Sequence, residues 1–244
     1  GGMLCPMGFS LSNRKDMDVT GVGIDQAQLP PFEQGPIDLA SWFGHDTGVP
    51  RPMELEIGSG KGTFLVQQAA LTPDIDYIGI EYARAFWRYA ADRVRRNGLT
   101  NVKLIHTEAA MFIRNYVRDG VFRQVHIYFP DPWPKKRHHK RRLVQAPFLR
   151  ELHRVLEPAG QVRLATDHTD YFQWMQDHAA QVTDLFDALP FESPQCAGEG
   201  ELVGTNFERK YRREGRTFHA MILRRLGQAA GREEISPRLT ADER

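Results

Sequence analysis

From Met53 onward, short apolar segments alternate with longer amphipathic segments through most of the chain, and this alternation constrains the fold more than any other feature. The apolar segments have the length and composition of buried strands, whereas the amphipathic segments repeat at the helical period. The predicted strands are MELEIG, DYIGIEY, NVKLIHTE, QVHIYFPDPW, GQVRLATD and TFHAMILRR. Because a predicted helix follows each of the first five strands, the pattern favours an α/β fold with a mostly parallel sheet covered on both faces.

Candidate site residues lie just after the predicted strands. In parallel sheets of this kind, ligands bind at the carboxyl ends of the strands. The candidates are Glu56 to Gly62, Glu81, Glu108, Pro130 to Lys136 and Asp167. We therefore expect these residues to face one site.

The two ends of the chain are polar and weakly periodic. Residues 1–34 are rich in Gly, Pro and polar side chains and are predicted to form a mobile N-terminal arm, in which Gly1 and Gly2 before Met3 indicate a cloning scar. Residues 35–226 are predicted to form the α/β domain and residues 227–244 a polar tail. A chain of 244 residues is long enough for one large domain with a substantial core.

The segment ELEIGSGKGTF, which contains Gly58, Gly60 and Gly62, resembles a phosphate-binding loop only in part. Such a loop needs Gly-x-x-x-x-Gly-Lys-[Ser/Thr], but Leu55 stands where the first glycine belongs, and Glu56 would repel phosphate. The spacing also differs from the Gly-x-Gly-x-x-Gly of dinucleotide loops. Glycines still allow a tight turn and a close approach of a ligand to the backbone, although a turn without a ligand is the alternative.

Four acids follow predicted strands, namely Glu56, Glu81, Glu108 and Asp131. Together they would ring one pocket, which disfavours polyphosphate and favours a cation. Glu81 lies about as far after the loop as the acid that binds ribose hydroxyls in dinucleotide folds. S-adenosylmethionine fits this pattern, since it carries a sulfonium, a protonated amine and a ribose, so we predict a methyl-donor loop.

Positive charge is concentrated in two segments. KKRHHKRR (135–142) carries six Lys/Arg and no acid, and RKYRREGR (209–216) carries five Lys/Arg and one Glu. Because the whole chain has a net charge of only +1, the remainder is acidic, and this asymmetry suggests a polyanionic partner.

The two cysteines are too few for a disulfide framework or a structural zinc site, and no apolar run approaches the length of a membrane helix. We expect no metal, because His138 and His139 lack partners at metal-ligand spacing. The low cysteine count favours a reducing, cytoplasmic location.

The stretch YFPDPWPKKRHHKRR resembles the signature of bacterial tRNA (guanine-N7)-methyltransferases, the TrmB family. Gly79-Ile80-Glu81, Ala165-Thr166-Asp167 and Thr205-Asn206-Phe207-Glu208 are similar to further motifs of that family, and the resemblance covers residues 53–225. It implies a class I S-adenosylmethionine-dependent methyltransferase (Rossmann-like) fold. The sheet would have seven mostly parallel strands with an antiparallel last strand. It also implies methylation of N7 of guanosine-46 in the variable loop of tRNA.

The resemblance, together with the glycine loop, assigns roles to individual residues. Asp131 matches the presumed catalytic residue. The predicted donor-binding residues are Glu56, Gly58, Gly60, Gly62, Glu81, Glu108 and Asp131. The predicted substrate-binding residues are Lys135, Asp167, Thr205, Asn206, Phe207 and Glu208. The predicted contacts to the tRNA backbone are Lys136, Arg137, Lys140, Arg141, Arg142, Arg209, Arg212, Arg213 and Arg216.

The sequence departs from the family pattern in three places. Asn206 replaces the usual Lys, so one cationic contact to the nucleotide is missing or moved. Glu108 stands where Asp or Asn is commoner, which affects the expected adenine contact. The Arg/Gly-rich segment that usually precedes the first strand has no counterpart in PPFEQGPIDLASWFG.

The chemistry suits these residues, because guanine N7 has a free lone pair and no proton, and its methylation needs no base. We hypothesise that Asp131 accepts hydrogen bonds from N1–H and the N2 amino group of guanine, and that Trp133 stacks on the base or packs in the loop. A methyltransferase for another RNA or a small substrate is the first alternative, and a non-catalytic RNA-binding module is the second. We expect tRNA as the partner, no membrane, and a monomer or homodimer.

Overall fold

The computed structural model describes residues 17–45 and 51–227, and the eight strands within these residues form one sheet. The strands are β1 (Gly23–Asp25), β2 (Met53–Ile57), β3 (Asp76–Glu81), β4 (Val102–His106), β5 (Phe122–Tyr128), β6 (Leu156–Thr166), β7 (Phe186–Leu189) and β8 (His219–Arg225). Their order across the sheet is β1-β4-β3-β2-β5-β6-β8-β7. Neighbouring strands are parallel, except that β8 runs antiparallel to both β6 and β7.

Helices cover both faces of this sheet. In the described part of the chain the α-helices are α1 (Thr63–Leu71), α2 (Arg84–Arg96), α3 (Ala109–Tyr116), α4 (Ala146–Val155), α5 (Thr169–Ala179) and α6 (Asn206–Arg212). Short 3-10 helices span Gln26–Gln28, Phe32–Gln34, Leu39–Trp42, Lys136–Arg141 and Ala180–Val182. None of the helices described is both long enough and apolar enough to cross a bilayer.

Each face of the sheet buries its own hydrophobic core. Leu55 and Ile57 of β2 belong to the core that α3, α4 and α5 cover. The opposite face packs against α1 and α2. Because successive side chains of a strand point to opposite faces, Glu54 and Glu56 lie on the α1 and α2 side, where both are buried.

The predicted α/β fold, with a mostly parallel sheet and an antiparallel last strand, is confirmed. The described sheet has eight strands rather than seven, because β1 adds an edge strand beside β4. This strand lies in the segment predicted to be a mobile arm. Its Gly23 packs so closely on α2 that a Cβ there would lie 2.9 Å from the Trp87 ring. Residues 1–16 of the predicted arm and residues 228–244 of the predicted tail lie outside the described residues.

Candidate active site

The glycine loop connects β2 to α1 and leaves its backbone open. Gly58, Gly60 and Gly62 have φ angles of +77°, +52° and +66°, in the left-handed region that favours glycine. The amides of Gly58 and Ser59 donate to the carbonyl of Ile80, over 2.8 and 3.1 Å, which ties the loop to the end of β3. No atom lies within 4 Å of the position that a Cβ would take at Gly58 or Gly60. The loop is therefore held in place and accessible to a ligand.

Glu81, at the end of β3, holds this loop from the other side. Its Oε2 accepts a hydrogen bond from the amide of Gly60 over 2.8 Å, and its Oε1 accepts one from the amide of Ala83 over 2.7 Å. Burial raises the pKa of Glu81, and the charge of Asp131 raises it further, although these backbone hydrogen bonds oppose the shift. Glu81 thus fixes the loop in addition to its predicted role at the ribose.

Glu56 is a buried acid with one carboxylate oxygen unpaired among the described residues. Its side chain lies at the end of β2 with 4% relative exposure, and its Oε2 has no hydrogen-bond partner among the described residues. The hydroxyl of Ser59, in the glycine loop, is likewise buried and unpaired within the described chain. Burial and the charge of Glu81 raise the pKa of Glu56 to about 8. Unsatisfied buried polar groups are costly, so these atoms fit a ligand that carries positive charge and hydrogen-bond donors.

Three of the four predicted acids come together. The charge of Glu81 raises the pKa of Glu56, and the charge of Asp131 raises the pKa of Glu81, so each of these two pairs lies within electrostatic reach. Glu108 differs, because its exposed carboxylate caps α3 by accepting hydrogen bonds from the amides of Ala110 and Met111, over 2.9 and 2.7 Å. It lies at the same edge of the sheet, after β4, but its oxygens already have backbone partners.

The loop after β5 holds Asp131 in a strained backbone. Phe129 and Trp133 have φ angles of +54° and +44°, a region that bulky residues rarely adopt. Such conformations cost about 1–3 kcal/mol each and persist only where the surroundings impose them. Here the ring of Phe129 stacks on Phe207 and meets Phe218 edge-on, with centroids 4.7 and 5.7 Å apart. Packing therefore holds the backbone on which the exposed Asp131 stands.

The basic segment after Asp131 folds as a 3-10 helix over Lys136–Arg141. The exposed cations are Lys135, Lys136, Arg137, Lys140 and Arg141. Trp133 packs on this helix, because its ring stacks on His138 and lies beneath the guanidinium of Arg141, at 5.8 and 5.0 Å. Two roles were considered for Trp133, stacking on the guanine base and packing within the loop, and these contacts match packing within the loop.

Arg142, predicted to contact the tRNA backbone, is instead buried at 1% relative exposure. Its guanidinium points into the protein and pairs with Asp170. The side chain is therefore not available to a phosphate on the surface, unlike its neighbours in the basic segment.

The motif Thr205-Asn206-Phe207-Glu208 forms the start of α6. Thr205 caps the helix, because its Oγ1 accepts from the amide of Glu208. Asn206 reaches back to the glycine loop, where its Nδ2 donates to Thr63 Oγ1 over 3.1 Å. Gln67 of α1 strengthens this docking, since its amide donates to the carbonyl of Gly204 over 2.8 Å. The predicted substrate motif is thus anchored beside the predicted donor loop.

Glu208, predicted to bind substrate, is fully buried and serves the fold. Its carboxylate accepts hydrogen bonds from the amides of Leu202, Val203 and Gly204 and pairs with Arg212. Burial alone would raise the pKa of Glu208, but these hydrogen bonds outweigh it and lower the pKa. The carboxylate is directed toward the protein, so the predicted substrate contact does not match its geometry.

We expect Glu208→Ala to lower the free energy of unfolding by about 3–5 kcal/mol, because it leaves buried amides without acceptors. Thermal unfolding should shift down by about 10 °C. Glu214→Ala, which removes an exposed acid paired with Arg216, is the control and should change stability little. A Glu208→Ala protein of normal stability with impaired catalysis would support the substrate role instead.

Two further arginines of this second segment, Arg209 and Arg216, already have acidic partners. Arg209 pairs with Glu201, and Arg216 donates to Asp167 over 2.6 Å. The guanidinium of Arg216 also lies 3.6 Å from the centroid of the Tyr211 ring. Arg213 is exposed. Asp167, a predicted substrate residue, is therefore occupied by an arginine of the predicted tRNA patch.

A buried polar network below the site escaped the sequence analysis. His126 Nε2 lies 2.8 Å from Glu54 Oε2, and its Nδ1 lies 2.8 Å from the hydroxyl of Tyr128. Burial lowers the pKa of His126, although Glu54 opposes the shift. Phe64 of α1 packs on both rings, which places the network beneath the helix that follows the glycine loop. The Glu-x-Glu spacing of β2 was the available signal, since it puts Glu54 and Glu56 on one face.

A sheet closed by an antiparallel last strand, with a glycine loop after β2 and an acid at the end of β3, defines a class I methyltransferase. Residues 50–221 match the sequence model of a family described as a putative methyltransferase. The chain is 39% identical over 198 residues to the tRNA (guanine-N(7)-)-methyltransferase of Alkalilimnicola ehrlichii, covering 81% of each chain. It is 37% identical over 202 residues to that of Halorhodospira halophila, covering 82% of this chain and 84% of the relative. The chain therefore belongs to the tRNA (guanine-N(7)-)-methyltransferase family, whose methyl donor is S-adenosylmethionine.

Solved structures resemble the chain more distantly. The 16S rRNA methyltransferase KamB aligns with a TM-score of 0.49 and 13% identity, covering 72% of this chain and 88% of that one. Such a likeness is too weak to bear on function. Among residues 17–45 and 51–227, no three His, Cys, Asp or Glu side chains are grouped so as to hold a metal ion.

Proposed function

We propose that this protein transfers a methyl group from S-adenosylmethionine to N7 of a guanine in tRNA, and that the guanine is guanosine-46 of the variable loop. One observation carries the proposal. Glu56, Glu81 and Asp131 lie at the edge of the sheet that carries the open glycine loop, each within electrostatic reach of the next, and a row of exposed cations begins at Lys135, shortly after Asp131. Acids for a cationic donor and cations for an RNA therefore lie side by side.

The donor half of the site consists of the glycine loop and two acids. When bound, S-adenosylmethionine supplies an electrophilic methyl group on its sulfonium. Glu81 would hold the ribose, and Glu56 Oε2 and Ser59 Oγ, which are unpaired among the described residues, would accept hydrogen bonds from donors of the ligand. The open backbone at Gly58 and Gly60 allows the close approach that a side chain would prevent.

The acceptor half centres on Asp131. Guanine N7 would attack the methyl carbon with its lone pair while the sulfur–methyl bond breaks and S-adenosylhomocysteine leaves, so the protein aligns the reactants rather than removing a proton. Alignment of this kind contributes up to about 7–11 kcal/mol. The Asp131 carboxylate accepts hydrogen bonds from guanine N1–H and N2, and it stabilises the positive charge that moves onto the purine during transfer. Presenting a base from folded tRNA in this way requires that it be extruded.

The tRNA backbone contacts the exposed cations Lys135, Lys136, Arg137, Lys140 and Arg141. Their proximity in sequence to Asp131 supports this assignment. Arg209, Arg212 and Arg216 have acidic partners in the protein, so they contact phosphate only if those ion pairs rearrange. Because tRNA is found in the cytoplasm, we propose that the protein acts there. We also propose that it acts as a monomer or a homodimer.

The test is incubation of the protein with labelled S-adenosylmethionine and tRNA transcripts that carry or lack the variable-loop guanosine. We expect incorporation only with the guanosine, and mapping by mass should place 7-methylguanosine at that position. Equal labelling of both transcripts would point to another guanine. Labelling of other RNA alone would favour a different methyltransferase, and tRNA binding without a saturable donor site in calorimetry would favour a non-catalytic RNA-binding protein.

A further inference from the structure

Arg142 is the exceptional member of the basic segment. Five of the cations before it are exposed, whereas Arg142 is among the largest fully buried side chains of the described protein. A buried guanidinium is costly unless hydrogen bonds and counter-charges satisfy it. The groups that it contacts therefore indicate its role.

These contacts join the loop that contains Pro132, helix α5 and the end of the 3-10 helix that precedes Arg142. The Nε donates to the carbonyl of Pro132 over 2.8 Å, and an Nη donates to Asp170 in the first turn of α5. The guanidinium also lies over the rings of Tyr171 and Trp174, 4.9 and 5.2 Å from their centroids. Such cation–π contacts are favourable for a desolvated guanidinium. Arg142 is thereby fixed to α5, which packs against β6 and β8 of the sheet.

The carbonyl of Pro132 belongs to the residue directly after Asp131. The 3-10 helix that carries the exposed cations ends at Arg141, directly before Arg142. The same side chain therefore closes the loop at both ends, with Asp131 on one side and the cationic helix on the other. The strained φ angles of Phe129 and Trp133 flank Asp131 in this closed loop, and strained backbone requires an external constraint.

We propose that Arg142 is a positioning residue that clamps the Asp131 loop to α5 and links it to the cationic helix that follows. The inference rests on the proposed function in one respect, since Asp131 is the group whose position it sets. It differs from the role predicted from sequence, because Arg142 acts through Pro132 and contacts no phosphate. Lysine cannot replace it, because one ammonium group lacks the planar fork that reaches Pro132 and Asp170 together.

The test uses Arg142→Lys, with Arg154→Lys as the matched control. Arg154 also joins backbone carbonyls, those of Ile113 and Val117, to an aspartate, Asp119, but it does so at the end of α4 that lies away from Asp131. We expect Arg142→Lys to lower kcat at saturating donor and tRNA by about tenfold to a hundredfold, as loss of alignment does. The donor and tRNA dissociation constants should stay within about threefold of wild type, since no contact to either is removed. Arg154→Lys should retain kcat.

A second readout does not depend on turnover. Amide hydrogen exchange, followed by mass spectrometry, should rise in Arg142→Lys in the Asp131 loop and in the cationic helix together, and in neither for Arg154→Lys. If wild type fails to methylate tRNA, the proposed function fails, yet the exchange result still decides the role of Arg142. Unchanged exchange in the Asp131 loop would overturn the inference. A weakened tRNA dissociation constant with kcat intact would overturn it as well, in favour of a phosphate contact.

Asp170→Ala covers the case in which Arg142→Lys does not fold. Asp170 is itself exposed, so Asp170→Ala creates no cavity, and it removes one of the two polar anchors of the guanidinium; thermal unfolding verifies that the variant is folded. We expect a smaller change in the same direction, with kcat lowered about threefold to tenfold and faster exchange of the Asp131 loop. An Asp170→Ala protein that matches wild type in both measurements would contradict the clamp.

Discussion

Replacing Asp131 with alanine is expected to lower kcat by about 10²–10³-fold while donor binding is largely retained. The expected size follows from removing one fixed group that stabilises charge in a transition state. Donor binding survives because Glu56, Glu81 and the glycine loop remain in place. The measurements are single-turnover methylation of tRNA with saturating protein and calorimetric titration of the protein with S-adenosylmethionine.

Asp119→Ala is the matched control for this experiment, because Asp119 is an exposed aspartate shortly before β5, at the opposite end of that strand from Asp131. It should leave the methylation rate unchanged. A near-wild-type rate in Asp131→Ala would refute the assignment of Asp131. If the donor dissociation constant rises as much as the rate falls, Asp131 acts on the donor and not on guanine.

Replacing Glu56 with glutamine is expected to weaken donor binding and to stabilise the free protein at high pH. Donor affinity should fall about tenfold to a hundredfold, which corresponds to the loss of a charge-assisted hydrogen bond worth about 1.5–3 kcal/mol. The stability change has the opposite sign, since glutamine removes a carboxylate that the free protein buries without a partner.

The pH dependence of the stability change follows from the raised pKa of Glu56, about 8. In the unfolded chain a glutamate titrates near 4.3, in round figures. Between these values the folded state keeps a proton that the unfolded state releases. The free energy of unfolding therefore falls as pH rises toward 8, and the stabilisation present below the unfolded pKa is lost. Glutamine does not titrate, so the advantage of Glu56→Gln over wild type should grow across this range.

Thermal unfolding of the donor-free protein in acidic, neutral and alkaline buffers measures this difference. Glu33→Gln, at an exposed glutamate of the 3-10 helix Phe32–Gln34, is the control and should show no growing advantage. Calorimetry in buffers of different ionisation enthalpy provides a second check, because a cationic donor should expel the proton from Glu56 on binding at neutral pH. A difference in stability that is constant with pH, or normal donor affinity in Glu56→Gln, would contradict the account.

Much of the site could be predicted from the positions of strand ends. A strand period of two and a parallel sheet suffice to bring Glu56 and Glu81 to one edge, because neither inference requires knowledge of side-chain contacts. The glycines likewise indicated a tight turn, and Gly58, Gly60 and Gly62 adopt left-handed conformations that permit one. These features depend on local sequence and on topology.

The directions of individual charged side chains could not be predicted in the same way. Arg142 stands in a run of cations, and only the aromatic rings and the acid of α5, almost 30 residues later in the chain, draw it inward. Glu208 matches a substrate motif, yet three amides of the preceding turn bind its carboxylate. Strand β1 is too short, at three residues, to show a period. Each of these features depends on tertiary contacts that leave no periodic trace in the sequence.

The docking of α6 on α1 has a consequence for synthesis of the protein on the ribosome. Asn206 meets Thr63, and Arg209 meets Gln67, across more than 140 residues of chain, while β8, the strand inserted between β6 and β7, is made later still. A nascent chain that has emerged through β6 already contains the glycine loop, but the element that closes over it does not yet exist. Catalytic competence is consequently acquired at the end of translation, and a premature stop codon before α6 yields a chain that contains the glycine loop, Asp131 and the cationic segment but lacks both the helix that docks beside that loop and the strand β8.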